Sequence, residues 1–382
     1  MSFDPVRWRP EFPILGTTTY LISNSLGAMP RGTANQLHRY AEAWAERGVR
    51  AWEEGWWEMP VTVGNLLAPI IGAPRNTVTM HQNVTIAEAV VLSCLQPSGK
   101  RNRIVCEREN FPSVMYFYSR QPGLELVTVP AEKLVDAIDE RTLLVPTSHV
   151  LFKSSFLQNA AAIVEKAHQV GARVCLDCFQ SAGVVPLDVA TLEVDFAVGG
   201  CLKWLCGGPG NGWLYVRSDL MDELEPRFTG WQAHARPFGF EAGPMAYTKG
   251  PMRFLNGTPQ VPALYAATEG LRIVNEVGVP VIRAHSITLT SRLLEKLLEL
   301  GLPSLTPRDP ERRGGTVCVN PEGSEEIARE LLEQQFLIDW RPDAGIRISP
   351  HFYNTEDECD RIVAEIAALV SKRPALRTTM GD

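Results

Sequence analysis

Apolar residues recur along the middle of this chain in two alternating rhythms. Short, nearly continuous apolar runs at Thr77–Met80, Arg103–Glu107, Leu124–Val129, Leu143–Thr147, Ala172–Asp177, Phe196–Gly199 and Gly212–Val216 predict seven strands. Between them, Val84–Leu95 is apolar at 84, 86, 87, 90, 91, 94 and 95, and Leu157–Val170 is apolar at 157, 160, 161, 163, 164 and 167. That is helical spacing, and Pro112–Arg120 predicts a further helix. Strands apolar on both faces and spaced by helices imply an α/β fold, a mainly parallel sheet held between helical layers.

After about residue 260 the rhythm changes. Val261–Val277 and Pro280–Leu300 predict long helices, then Gly315–Val319 a strand, Ser324–Gln334 a helix, Gly345–Ser349 a strand and Thr355–Val370 a helix. Three parts are expected: residues 1–60 as a Trp- and Gly-rich segment packing across both units, 61–260 as a large domain, and 261–382 as a smaller α+β domain.

Composition narrows the classes. The 382 residues are 45% apolar and 21% charged, enough to bury a large core. Acidic residues outnumber basic ones, 44 to 37, which argues against a nucleic-acid surface. The opening MSFDPVRWRPEF lacks an apolar run, and no stretch approaches the length of a membrane span, so a cytoplasmic protein is expected. Eight cysteines include one Cys-x-x-Cys, Cys175 and Cys178, with no second pair and no histidine cluster nearby. Buried thiols are expected there, and no metal site.

The chemistry concentrates between residues 176 and 216. Asp177 ends one apolar strand, where an open parallel sheet presents its ligand-binding groups. A carboxylate buried there calls for a cationic partner. Twenty-six residues on, Lys203 follows another apolar strand and precedes Gly207-Gly208-Pro209-Gly210. An aldehyde cofactor suits both: the amine condenses with the aldehyde, and the acid keeps a pyridine nitrogen protonated so that the ring accepts electrons. Taken singly, Asp177 reads first as a turn cap and Lys203 as a surface residue; together with the Gly-rich loop they favour the cofactor.

Eight segments, in order, resemble the kynureninase and class V aminotransferase group of fold-type I pyridoxal 5'-phosphate enzymes. They are SNSLGAMP at 23–30, HQNVTIAEAVVL at 81–92, ENFPS at 109–113, DCFQSAG at 177–183, LKWLCGGPG at 202–210, TGWQAH at 229–234, LNGTP at 255–259 and RISPHFYNTEDE at 347–358. The resemblance implies a large domain with a seven-stranded sheet and a pyridoxal 5'-phosphate cofactor bound through Lys203 and Asp177. It also implies that Thr85, with the backbone of Asn83 and Val84, holds the phosphate; a helix N-terminus there suits an anion. By the same resemblance Phe111 stacks on the pyridine ring and Gln180 hydrogen-bonds the cofactor. Trp231 and Thr258 reach the phosphate of a partner subunit, which implies a homodimer with shared active sites. Arg347 clamps the α-carboxylate of a small amino-acid substrate, a task suited to its fork of donors, and Asn24 lies near that substrate.

Two positions depart from the pattern. Leu202 stands where kynureninases carry Tyr and many class V enzymes His, and Gly200 stands where the aminotransferase and desulfurase branch often has Ser or Thr. A kynureninase-like hydrolase that releases alanine is the first expectation. An aminotransferase or related lyase is the second, and a non-catalytic cofactor-binding protein the third. A cysteine desulfurase is disfavoured because residues 331–346 contain no cysteine.

Overall fold

The computed structural model describes residues 3–373. Twelve strands are present: β1 (Thr19–Tyr20), β2 (Val78–His81), β3 (Arg103–Glu107), β4 (Glu125–Val129), β5 (Thr142–Ser148), β6 (Arg173–Asp177), β7 (Phe196–Gly200), β8 (Gly212–Val216), β9 (Val317–Val319), β10 (Phe336–Leu337), β11 (Asp339–Arg341) and β12 (Gly345–Ile348). The helices are α1 (Gly32–Glu42), α2 (Met59–Leu67), α3 (Val84–Cys94), α4 (Pro112–Ser119), α5 (Leu134–Ala137), α6 (Ala160–Gln169), α7 (Val261–Val277), α8 (Val279–Glu299), α9 (Ser324–Glu333) and α10 (Glu356–Ser371).

Seven strands form the main sheet, in the order β2-β8-β7-β6-β5-β3-β4. Only β8 runs against its neighbours, pairing antiparallel with both β2 and β7. The apolar runs read as buried strands because both faces are covered. Val145, Val174 and Leu176 face a core shared with Ile163, Val164 and Ala167 of α6. Leu144, Cys175, Phe196 and Val198 face a second core with Val90 and Val91 of α3 and Val114 and Tyr118 of α4. Parallel strands bring their carboxyl ends to one edge, so the segments after His81, Glu107, Ser148, Asp177 and Gly200 converge there.

The smaller unit has a three-stranded antiparallel sheet, β11-β12-β9, and a core of its own. Leu289, Leu293 and Leu297 of α8, Ile327 and Leu331 of α9, and Ile362 and Ile366 of α10 build that core with Ile346 and Ile348. Helix α7 packs with the large unit, since Leu264, Ala267, Leu271 and Val274 belong to the core that also holds α2 and β2. Its apolar stripe packs against α1 and α2. The N-terminal segment joins both units. β1 pairs parallel with β10, and Ile22 bridges to Ser349. A few residues later the Gly27 amide donates to the Leu202 carbonyl at 2.8 Å.

Candidate active site

Helix α3 opens onto the convergent edge. Asn83 is its N-cap, extended at φ −164°, and its Oδ1 accepts from the Ile86 amide at 3.0 Å. The amides of Val84 and Thr85 occupy the first two helical positions, where no helical carbonyl can reach them. With the helix dipole they form a cradle for an anion, and Thr85 lines the cavity there. Gly212 is required behind the cradle, since a Cβ there would fall 2.5 Å from the Asn83 carbonyl carbon.

Asp177 and Lys203 line the same cavity, with Asn83, Thr85, Phe111 and Phe152. Asp177 is buried at the end of β6, and its Oδ1 accepts from the Phe179 amide at 2.8 Å. Burial pushes its carboxyl up, while the Phe179 amide and the charge of Lys203 pull it back. Burial also pushes the Lys203 amine down to about 8; Asp177 opposes that shift and Arg347 adds to it. The two charges feel each other, yet no ion pair joins them among the described residues. The Lys203 Nζ sits 4.3 Å from the centroid of the Phe179 ring and 5.9 Å from that of Phe111.

Gly200 acquires a reason here. A Cβ at Gly200 would lie 2.5 Å from the tip of the Phe179 ring, so the missing side chain makes room for the ring that carries the lysine amine. Gly27 is equally constrained, since a Cβ there would fall 2.1 Å from the Lys203 carbonyl oxygen. The loop bearing Lys203 is further held by His351, whose ring Nε2 lies 2.7 Å from the Trp204 carbonyl.

The other expected residues divide. Phe111 is 45% exposed, stands edge-on to Phe152 with ring centroids 5.4 Å apart, and presents its ring to the cavity. Gln180 lines the cavity, but its amide is engaged by protein: Nε2 donates to the Asn24 carbonyl at 3.1 Å and Oε1 accepts from the Trp204 indole at 3.2 Å. Gln180 therefore ties the Asn24 and Trp204 segments together, and it keeps one N–H and one lone pair for a further bond. Asn24 is buried with neither side-chain atom hydrogen-bonded. Arg347 is buried rather than open, its guanidinium held by Asp339 and the Phe152 carbonyl. Trp231 and Thr258 are not brought to this cavity by their own chain. Trp231 packs with Trp57, Phe238 and Phe240, and Thr258 borders a separate groove beside Tyr40 and Trp44. Phe179, Gly27, Phe152 and Asp339 were not singled out from the sequence. Phe179 had a signal, its place in the DCFQ run directly after Asp177.

These residues fit pyridoxal 5'-phosphate. A buried carboxylate without a cationic partner suits the pyridine N–H. A partly deprotonated buried amine without an acceptor suits the aldehyde carbon, and free helix amides suit the phosphate. Among the described residues no cluster of side chains could hold a metal ion, and no helix is long and apolar enough to cross a membrane.

Comparison with known proteins agrees. Residues 34–362 match the family model for class V aminotransferases. An uncharacterized aminotransferase of Bacillus subtilis, YcbU, is 31% identical over 96% of this chain and 99% of its own length. A protein named kynureninase from Deinococcus radiodurans is 30% identical over 95% of this chain and 93% of its own. One from Burkholderia pseudomallei is 30% identical over 89% and 86%. Among solved structures, an apo cysteine desulfurase from Thermococcus onnurineus superposes with a TM-score of 0.84 at 21% identity, covering 98% of this chain and 100% of that one. The cystine C–S lyase C-DES, in complex with cysteine persulfide, gives a TM-score of 0.81 at 23% identity, covering 93% and 99%. At these identities the two structures establish the shared fold alone.

Proposed function

This chain belongs to the class V aminotransferase family, whose cofactor is pyridoxal 5'-phosphate, and from that premise we propose that it cleaves an amino acid hydrolytically between Cβ and Cγ, as a kynureninase does. The observation that carries the reading is the apolar pocket around Lys203. Phe111, Val114, Val150, Phe152 and Phe179 line it, and it suits an amino acid with a flat, apolar side chain. The likeness to kynureninases over nearly the whole chain supports it.

When bound, the cofactor supplies an aldehyde that condenses with amines and a protonated ring that accepts electrons from Cα. The residues of this chain do the rest. The amides of Val84 and Thr85 would hold the phosphate, and Phe111 would pack beside the ring. Asp177 would pair with the ring N–H and keep that nitrogen protonated. The Lys203 amine, with a proton affinity near neutrality, takes the proton from Cα and returns it. Arg347 would receive the α-carboxylate, and the phenyl walls of the cavity would exclude water from it.

Leu202 favours a second reading. It offers no hydroxyl or imidazole to move a proton at the side-chain carbonyl that hydrolysis must attack. A transaminase or lyase needs no such group there. Incubation of the cofactor-loaded enzyme with L-kynurenine separates the two. Anthranilate and alanine in equal amounts establish hydrolysis; conversion of the cofactor to its amine form by amino acids, without anthranilate, establishes transamination. We further propose that the enzyme works as a homodimer. Trp231 and Thr258 then serve a neighbouring subunit's site, which fits their distance from the cavity of their own chain.

A further inference from the structure

The α-carboxylate clamp proposed above is already half engaged. Arg347 and Asp339 are cross-strand partners in the antiparallel pair β11–β12, so their side chains emerge on one face. Asp339 takes one fork of the guanidinium, with Oδ1 accepting from Nε at 2.8 Å and Oδ2 from Nη2 at 2.5 Å. Nη1 donates to the Phe152 carbonyl at 2.8 Å. Arg347 is 3% exposed and Asp339 9%. A guanidinium has five N–H donors. These three bonds leave two, one on each terminal nitrogen, enough for a second carboxylate.

Charge points the same way. Arg341 Nη2 lies 3.2 Å from the same Asp339 oxygen that Arg347 holds. Two guanidiniums around one carboxylate leave one net positive charge, which matches an amino-acid carboxylate. The charges of Arg347, Asp339 and Arg341 all act on the Lys203 amine. The Phe152 carbonyl ties the arginine to the segment whose ring lines the cavity. Exchange of Asp339 for substrate would strand a buried carboxylate. Substrate is therefore expected to add to the pair and not to replace it.

We propose that Asp339 is a positioning residue for substrate recognition, fixing the Arg347 fork so that its two remaining donors receive the α-carboxylate of the amino acid. The proposal rests on the reading of Arg347 as the carboxylate partner, and its consequence is a preference for free amino acids over their amides.

The test uses the cofactor-loaded enzyme and follows the cofactor absorbance during titration with L-alanine and with L-alaninamide. L-alanine is a product under the hydrolytic reading and an amino donor under the second. Misplacing the fork should weaken L-alanine binding in Asp339→Ala by roughly tenfold to a hundredfold. L-alaninamide binding should be unaffected. Asp339→Asn, which keeps an acceptor, should recover part of the loss. Where Arg347→Ala has been made, adding Asp339→Ala should cost nothing more, because one unit has already been removed. Unchanged L-alanine binding in Asp339→Ala, equal losses for acid and amide, or additive losses in the double variant would overturn the role of Asp339. Parent-like binding by Arg347→Ala would instead bring down the carboxylate reading, and the proposal with it. The cofactor absorbance before ligand is added shows whether each variant is folded and loaded; if Asp339→Ala does not load, Asp339→Asn carries the comparison.

Discussion

Replacing Asp177 by Asn should move stability and activity in opposite directions. Asp177 is buried, and without cofactor it has one hydrogen bond, from the Phe179 amide, and no ion-pair partner among the described residues. Its folded-state pKa is raised above the ordinary 3.8, with burial the main cause. A raised carboxyl pKa means that the empty folded protein holds the proton more tightly than the unfolded chain does. Folding therefore carries no penalty from this group at low pH, and the penalty grows as pH rises through and beyond the unfolded value. An uncompensated buried charge costs about 3–5 kcal/mol, and an unpaired buried amide about 1–3 kcal/mol. The cofactor-free Asp177→Asn protein should then be more stable than the parent by about 2 kcal/mol at neutral pH, the difference between the midpoints of those costs. With cofactor bound the sign reverses. The variant loses a charge-assisted hydrogen bond to the ring nitrogen, worth about 1.5–3 kcal/mol, and turnover falls roughly ten- to hundredfold. Urea unfolding of the cofactor-stripped proteins across a pH series, beside steady-state rates of the loaded ones, measures both. A stripped variant less stable than the parent at neutral pH, or a gain that does not shrink on acidification, would refute the reasoning.

Lys203 and Gly27 give two further tests. At neutral pH an amine of pKa about 8 has a neutral fraction roughly 300-fold larger than one at the ordinary 10.5. Cofactor uptake by the stripped protein should accordingly rise with pH up to about 8 and level off above it, as followed by absorbance in stopped flow; a continued rise toward the ordinary lysine value would show an unperturbed amine. Lys203→Ala should lose both covalent uptake and turnover. Gly27→Ala must push the Lys203 carbonyl aside, an overpacking cost of about 1–3 kcal/mol. Equilibrium titration should show weaker cofactor loading, and parent-like loading would mean that the Lys203 loop yields freely.

Much of this was legible because two kinds of misfit are visible in a linear sequence. Seven apolar runs too continuous for surface strands implied a sheet covered on both faces, and the main sheet has seven strands. Asp177 and Lys203 stood out as charges at the ends of such runs, and the structure brings both to one cavity. What stayed hidden depends on contacts across the fold. Phe179 looks like a core aromatic until Gly200, on the neighbouring strand, leaves room for its ring beside the amine. Asp339 looks like an acid on a short edge strand until its register opposite Arg347 is known. The partners of α7 were hidden too, because an apolar stripe marks which face is buried without naming what covers it. Trp231 and Thr258 came from the resemblance, and their own chain gives them other neighbours.

The pairing of β1 with β10 also bears on the order in which the molecule is made. Thr19 and Tyr20 find their partners at Phe336 and Leu337, and the turn that presses Gly27 against the Lys203 carbonyl follows directly from that strand. During synthesis the first strand must wait for more than three hundred residues, roughly 16–63 seconds at ordinary ribosomal speeds. Until then the loop bearing Lys203 lacks its backing. A chain stopped before Phe336 lacks the partner of its first strand, and with it the pairing that leads into the turn placing Gly27 against the Lys203 loop.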